Sequence, residues 1–358
     1  MSDFCFRHSQ LLLVGTSTGL KRLFEHILNS KTAMSISFKA RLSPPHLQNL
    51  SANRTHCQMD IYNINVDNIG SIFTASVVLC VFDTVLGFAA IVANGLVIWA
   101  IVSRPALHSP SNILLCCLAF ADFLTGAITQ PAFVVSIAAR LLGAYSLYCK
   151  ASLASYFPVY FLSGVSFLTL TASTVERYLA LHLHLRYQQV ITTKRVFQVE
   201  ATIWIALVPI VCLPIFFPFI IFEITVSAII ALSLVVNAWL YTTIAMTVRR
   251  HMRRVLAEEE LAVHFHGNSA AETRKVRRSS ITIAGMFLVC SVCYVPTICV
   301  MIVSTSQHHY FYMPIARLAR DIAASIVFCH SVFNPLLVCY REKDIRRTVI
   351  DILKKITL

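Results

Sequence analysis

Between Ala201 and Thr247 the chain carries a single charged residue, Glu223. At about 1.5 Å per residue, one helix of that length would reach roughly 70 Å, more than twice the ~30 Å of a bilayer's hydrocarbon. The run must therefore fold back on itself. Arg186, Lys194 and Arg195 precede it and Arg249 and Arg250 follow it. Basic flanks belong on one side of a membrane, so the run makes an even number of spans. Pro214 and Pro218 mark the turn.

The remainder of the chain repeats the pattern. It is 57% hydrophobic and only 13% charged over 358 residues, which excludes an ordinary soluble domain. The fold class this predicts is an all-α membrane protein. The formal charge of +13 raises nucleic acid as a partner, but the bases are not gathered into a patch with interleaved aromatics. By count, 19 of 30 Lys and Arg lie between the spans on one side: Arg104, then Arg177 to Arg195, Arg249 to Arg278, and Arg341 to Lys355. That distribution predicts an amino terminus outside and a carboxyl terminus inside, hence an odd number of spans.

Residues 1–70 read as an extracellular tail with Asn49-Leu-Ser51 and Asn53-Arg-Thr55 as glycosylation sequons. Leu11 to Val14 is too short for the apolar core of a signal peptide, so the first span would act as the anchor. The tail holds seven Lys or Arg, four of them before Met34, and a start at Met34 is one reading of residues 1–33. The first span is expected over Ile72 to Val102 with Asp83 and Asn94, and the second over Asn112 to Val135 with Asp122 and a kink at Pro131. An acid at mid-membrane is by default functional. The third is expected to begin after Cys149, the sixth to run from Ile281 to Thr305 with Pro296, and the core of the seventh from Ile322 to Tyr340 with Pro335. This makes a seven-transmembrane domain over 71–340. Residues 341–358 follow as an amphipathic helix on the inner leaflet and a tail, with Ile345, Val349, Ile352 and Ile356 on one face.

The third span is free of charge from Val159 to Val175 and then places Glu176 and Arg177 side by side. Each ion is costly at a membrane boundary, and the pair partly neutralises itself. Such a pair can be broken, and so can switch. A plain ion pair marking the interface is the alternative.

Several short motifs stand in order on these spans. Asn94-Gly95 with Val97 lies on the first, Leu118-Ala119-Phe120-Ala121-Asp122 on the second, and Glu176-Arg177-Tyr178 on the third. Trp204 lies on the fourth, Cys293 with Val295-Pro296 on the sixth, and Asn334-Pro335 on the seventh. Together they resemble the rhodopsin-like family of G protein-coupled receptors over about residues 72–356. Leu107-His108-Ser109-Pro110, Leu185-Arg186-Tyr187 and the nearly absent outer loop before the fifth span resemble the group containing melanocortin, adenosine, cannabinoid and lysophospholipid receptors, with melanocortin receptors nearest.

The resemblance implies a receptor at the plasma membrane that turns an extracellular ligand into heterotrimeric G protein activation. It implies a coupling and activation set of Glu176, Arg177, Tyr178, Tyr241, Tyr294, Pro296, Asn334 and Pro335. Tyr241 is expected to partner Arg177. A ligand cavity is implied at Tyr156, Tyr160, Tyr294, Ile298, Met301 and Phe328, an apolar and aromatic lining suited to a lipid-like or peptide ligand. Asp122, Ser166, Ser331 and Asn334 match positions that hold an allosteric sodium ion, with a plain hydrogen-bond network as the alternative. No other cofactor is implied.

The departures narrow the ligand. The acids with which melanocortin receptors hold calcium and peptide correspond to Ala132, Ser152 and Tyr156, none of which offers a carboxylate. The amine, nucleoside and retinal positions hold Val159, Met301 and Phe328. Tyr294 replaces the sixth-span tryptophan, Ser233 the fifth-span proline and Val338 the seventh-span tyrosine, while Val276 stands where an acid often holds the arginine. Glu176 is thus left as the evident restraint on Arg177, which predicts appreciable ligand-independent activity or an altered switching path. The family's usual outer disulfide has no second cysteine in the loop after the fourth span, so Cys149 either pairs with Cys57 in the tail or both thiols are free. Few Ser or Thr follow Tyr340, and Ser279 and Ser280 are better kinase candidates.

Two rival classes are weighed. A transporter would use Asp83, Asp122 and Glu223 as intramembrane acids, but no internal repeat with paired broken helices is present. A non-coupling seven-helix binding receptor is the other, raised by Val338. Enzyme chemistry is not expected, since no paired carboxylates, His-Cys cluster or serine elbow has useful spacing.

Overall fold

The apolar runs become helices because a backbone in hydrocarbon must satisfy its own hydrogen bonds. The structure, a computed structural model, describes residues 69–183, 186–261, 285, 288, 289, 291–303 and 314–357. Asn49, Asn53 and Cys57, the long inner loop with Val276, Ser279 and Ser280, and the start of the expected sixth span lie outside the described residues. Among the described residues the long elements are all helical: α1 Ile69–Val102, α2 Pro110–Leu141, α3 Tyr145–Leu183, α4 Thr193–Phe216, α5 Phe219–Leu261, α6 Ser291–Val303, α7 Pro314–Arg341 and α8 Lys343–Thr357. Six are long and apolar enough to span a bilayer, and α6 is a shorter apolar helix.

Local sequence sets the ends. Pro110 opens α2 in the first turn, where its missing N–H costs nothing, and the Ser109 hydroxyl caps it by accepting from the Asn112 amide at 3.3 Å. Thr192 caps α4 in the same way. At the far end of α2, Gly143 has φ +67°, and the amides of Gly143 and Ala144 return to the carbonyls of Arg140 and Ala139. That left-handed stop is glycine's role. The expected turn between the fourth and fifth spans is present at Pro218: α4 ends at Phe216 and α5 begins at Phe219, with two residues between them, while Pro214, also expected at the turn, lies inside α4.

Several boundaries differ from the sequence reading. α3 begins at Tyr145, so Cys149 lies inside it rather than before it, and α7 runs from Pro314 to Arg341 around the expected core. α2 continues to Leu141, past the expected Val135, and its Pro131 produces a π turn over Thr125–Thr129 rather than a simple kink. Proline withholds an N–H and crowds the carbonyl of the preceding turn, and one wide turn absorbs both effects. α8 also departs from a purely membrane-lying helix. Ile345 is fully buried in the bundle core and Val349 and Ile352 pack beside it, while Ile350 and Leu353 remain exposed.

α3 sits centrally, packed against α2, α4 and α5, while α1 packs on α2 and α7 and α8 rests on α1 and α7. The main core joins Val97, Leu118, Phe167, Ile230, Tyr294 and Val327 across the bundle. The outer faces are apolar as well: Val85 and Phe88 on α1, Ile205 and Phe216 on α4, and Leu232 and Val235 on α5 are exposed. Such continuous apolar surface is suited to lipid.

α1 and α2 approach closely at Gly126, where an added Cβ would lie 2.8 Å from the Gly87 carbonyl oxygen and 3.1 Å from Ala90 Cβ. Small residues permit that approach. Gly126→Val is expected to lower stability by about 1–3 kcal/mol through overpacking, read as thermal unfolding in detergent. Gly95→Ala, whose Cβ would meet only the Phe123 ring at 3.7 Å, is expected to be nearly neutral.

Candidate functional site

The candidate residues fall into three levels: a cavity among α3 to α7, a polar cluster at mid-bundle and an ion-pair site toward the carboxyl end of α3. The cavity is walled by α3, α4, α5, α6 and α7, and its space, counted to the open mouth, is about 1050 Å³. Tyr160, Tyr294, Met301 and Phe328 line it as expected. Tyr156 and Ile298 are not among its lining residues. The Tyr156 ring packs on Tyr160, Phe219 and Phe222, and Ile298 packs against the main core.

The expected apolar and aromatic lining is incomplete. Glu223 of α5 and Arg320 of α7 both line the cavity, together with the hydroxyl residues Ser163 and Thr297. Glu223 is buried. Arg320 escapes a reading from family positions, but it lies eight residues before Phe328, already assigned to the cavity, and so two turns up much the same face. Beside this region, Arg140 of α2 donates to Asp321 of α7, and Ser325 donates to Asp83 of α1 at 2.8 Å. Asp83 is therefore held by the bundle.

Tyr294 forms the cavity's floor and connects it downward. Its hydroxyl donates to the Ser163 carbonyl at 2.9 Å, and its ring lies 4.6 Å from Phe167 and 5.5 Å from His330, centroid to centroid. Below it, Asp122 is fully buried and accepts from Ser166 at 3.0 Å, Ser331 at 2.9 Å and Asn334 at 2.7 Å. The four residues assigned together from the sequence thus converge. His330 was missed. Its Nε2 lies 3.0 Å from Ser166 Oγ and 3.4 Å from Asp122 Oδ1, while its Nδ1 meets the Val327 carbonyl. Its position one residue before Ser331 and one turn before Asn334 was the available signal. Asn94 extends the cluster to α1 by donating to the Ser331 carbonyl at 2.8 Å.

At the inner end, Arg177 has more restraint than Glu176 alone. It donates to Ser111 of α2, lies 3.4 Å from Glu176 and lies 3.9 Å from Glu342 at the junction of α7 and α8. Glu176 accepts from the Tyr187 hydroxyl on the one-turn helix Tyr187–Val190. Burial and that carboxylate push the Tyr187 phenol above its ordinary range. The Tyr241 hydroxyl lies 3.2 Å from Thr174, one turn before Arg177, and the Tyr178 ring packs on His182 and Trp239. Ser111 and Glu342 lie outside the local motif, so no spacing argument around Arg177 reaches them. Glu200 of α4, also missed, is buried and accepts from Thr169 of α3 at 2.9 Å.

Pro335 stands one residue after Asn334 inside α7, and Pro296 within α6, one turn before Val300 of the cavity wall. Trp204 packs against Phe120 and Phe161 between α2, α3 and α4. Cys149 is disulfide-bonded, whereas Cys57, its expected partner, lies outside the described residues.

Residues 93–219 match the family described as 7 transmembrane receptor (rhodopsin family). The human melanocortin receptor 5 is 25% identical over 321 residues, covering 86% of this chain and 94% of its own length. The sheep melanocortin receptor 5 is 27% identical over 276 residues, covering 75% and 81%. The zebrafish (Danio rerio) melanocortin receptor 4 is 26% identical over 287 residues, with the same coverage.

Asp122 is the acceptor on which the middle level depends. Asp122→Leu would leave the Ser331 hydroxyl and Asn334 amide without their acceptor, and is expected to cost about 3–5 kcal/mol, measured as loss of thermal stability of the purified protein.

Proposed function

We propose that the chain is a rhodopsin-like receptor near the melanocortin group and that it converts an extracellular ligand bound above Tyr294 into heterotrimeric G protein activation. The observation that carries this reading is the position of Arg177, held by residues from α2, its own helix and the α7–α8 junction. An arginine with several partial restraints, none at ideal ion-pair distance, can be moved by a modest shift in population. Ligand contact with Tyr294 would disturb its stacking on Phe167 and His330, and through His330 the Asp122 cluster beneath. Movement of α7 about Asn334-Pro335 would then withdraw Glu342 from Arg177. Tyr241 would take part once Arg177 is released, since it lies one turn away beside Thr174.

The wider assignment places the protein in the plasma membrane with its amino terminus outside, glycosylated at Asn49 and Asn53, and its carboxyl terminus inside. The membrane-crossing helices support the multi-pass arrangement. Tail attachment by a Cys57–Cys149 disulfide fits the same orientation.

Asp122, Ser166, Ser331 and Asn334 supply an oxygen-rich set suited to a hard monovalent cation, and Asn334 Oδ1 is buried without a hydrogen-bond partner. These residues would hold sodium, whose charge would compensate the buried carboxylate. His330 lies against the same carboxylate oxygen and would compete for that face. Replacing sodium chloride by choline chloride at constant ionic strength is expected to raise basal activity in membranes bearing the wild-type receptor. It is expected to change nothing in Asp122→Asn.

The coupling test compares basal G protein activation of the wild type and Arg177→Ala at matched surface expression. The wild type is expected to signal above cells lacking the receptor, and Arg177→Ala to fall to their level. Equal signals from both would reject the assigned role of Arg177.

A further inference from the structure

Asp83 of α1 is, like Asp122, a fully buried carboxylate, but it is far less well supplied with donors. Ser325 of α7 donates to its Oδ2 at 2.8 Å, and the same hydroxyl is shared with the Asp321 carbonyl at 3.0 Å. Its Oδ1 is buried with no hydrogen-bond partner. The neighbouring charge that acts on it is the carboxylate of Asp321, which repels it and is itself taken up by Arg140. Leu86, Phe133, Ala324 and Phe328 pack into an apolar cluster at the same junction of α1, α2 and α7. A carboxylate so placed is strongly unfavourable unless a positive charge reaches it.

Gln130 of α2 supplies an independent observation. It is 1% exposed, and both its amide oxygen and its amide nitrogen are buried with no hydrogen-bond partner. Two contacts fix its level against α1. Cys80 Sγ lies 4.0 Å from the Val134 carbonyl, and a Cβ added at Gly87 would lie 3.1 Å from Gln130 Oε1. Asp83 stands between Cys80 and Gly87, about one turn from each, so it faces the stretch of α2 that begins at Gln130. The place is distinct from the Asp122 cluster. Asp83 and Asn94, the α1 member of that cluster, are eleven residues apart (94 − 83), or about 16 Å.

We propose that Asp83 holds a sodium-sized monovalent cation between α1, α2 and α7, bound at its Oδ1, with the Ser325 hydroxyl and the Gln130 amide oxygen as further ligands. The oxygen inventory favours a metal cation over a proton. A proton on Oδ1 would donate a single hydrogen bond, whereas a hard cation draws in several oxygens at once. One carboxylate matches one positive charge. Among the described residues no group of three or more His, Cys, Asp or Glu gathers that would favour a divalent or transition metal. The close approach of α1 and α2 at Gly87 and Gly126 favours a small ion over a large one.

The test follows thermal unfolding of the full-length protein in lipid nanodiscs against sodium, potassium and choline chloride at constant ionic strength. It compares the wild type with Asp83→Asn, with Asp122→Asn, which removes the other carboxylate assigned to sodium, and with the double variant. Sodium is expected to raise the midpoint of Asp122→Asn saturably over choline, at about ten-fold lower concentration than potassium, and to leave the double variant unmoved. In choline, Asp83→Asn is expected to unfold at a higher temperature than the wild type, because the amide removes a buried charge and keeps an acceptor for Ser325. In saturating sodium that advantage is expected to vanish, whereas a merely structural Asp83 would give the same order in every salt. An unchanged order across salts, or a sodium response of equal size in Asp83→Asn and the wild type, would overturn the proposal even if Asp122→Asn does not fold. So would the infrared carbonyl band of a protonated carboxyl, present in the wild type in sodium and absent from Asp83→Asn, since Asp83 would then hold a proton. A sodium response confined to Asp122 upholds that site and removes this one.

Discussion

The buried carboxylate of Asp122 is the constraint around which the bundle is arranged. A fully buried acid is tolerable only with its oxygens satisfied, and the donors come from α3 and α7, through Ser166, Ser331 and Asn334. Asn94 brings in α1 through the Ser331 carbonyl. Four helices therefore meet at one polar point. Above that point Tyr294 and His330 connect it to the cavity floor, and below it the same two helices, α3 and α7, lead to Arg177 and Glu342.

The geometry of that lower step is regular. Ser166 and Arg177 are eleven residues apart on α3 (177 − 166), and Ser331 and Glu342 are eleven apart along α7 and its end (342 − 331). Each interval is roughly 16 Å at the helical rise. The Asp122 cluster and the Arg177–Glu342 contact are thus two rungs across one pair of helices. A displacement of α7 against α3 can reach both rungs, because the same two helices carry them. Pro335 lies between the rungs and gives α7 a place to bend.

Much of this was legible in the sequence. The span pattern follows from the thickness of hydrocarbon and the placement of bases, and the back-folding at Pro218 from the length of one apolar run. The convergence of Asp122, Ser166, Ser331 and Asn334 followed from resemblance, because each stands in a recognisable local motif. The less legible residues share a different character. Ser111 and Glu342 reach Arg177 from other helices, so only the packing brings them together. His330 and Arg320 lie within α7 outside any recognisable motif, so no local pattern marks them. The π turn before Pro131 and the burial of Ile345 are also consequences of packing, as local propensity does not distinguish a wide turn from a kink or a core face from a membrane face.

The central claim is that the α3–α7 arrangement set by Asp122 determines whether Arg177 is restrained by Glu342. A double-mutant cycle of Arg177→Ala and Glu342→Gln on basal G protein activation, run in the wild type and again in Asp122→Asn, measures this directly. The account predicts that Glu342→Gln raises basal activity only when Arg177 is present, and that this coupling disappears in the Asp122→Asn background. Coupling of equal size in both backgrounds, or none in the wild type, would contradict it.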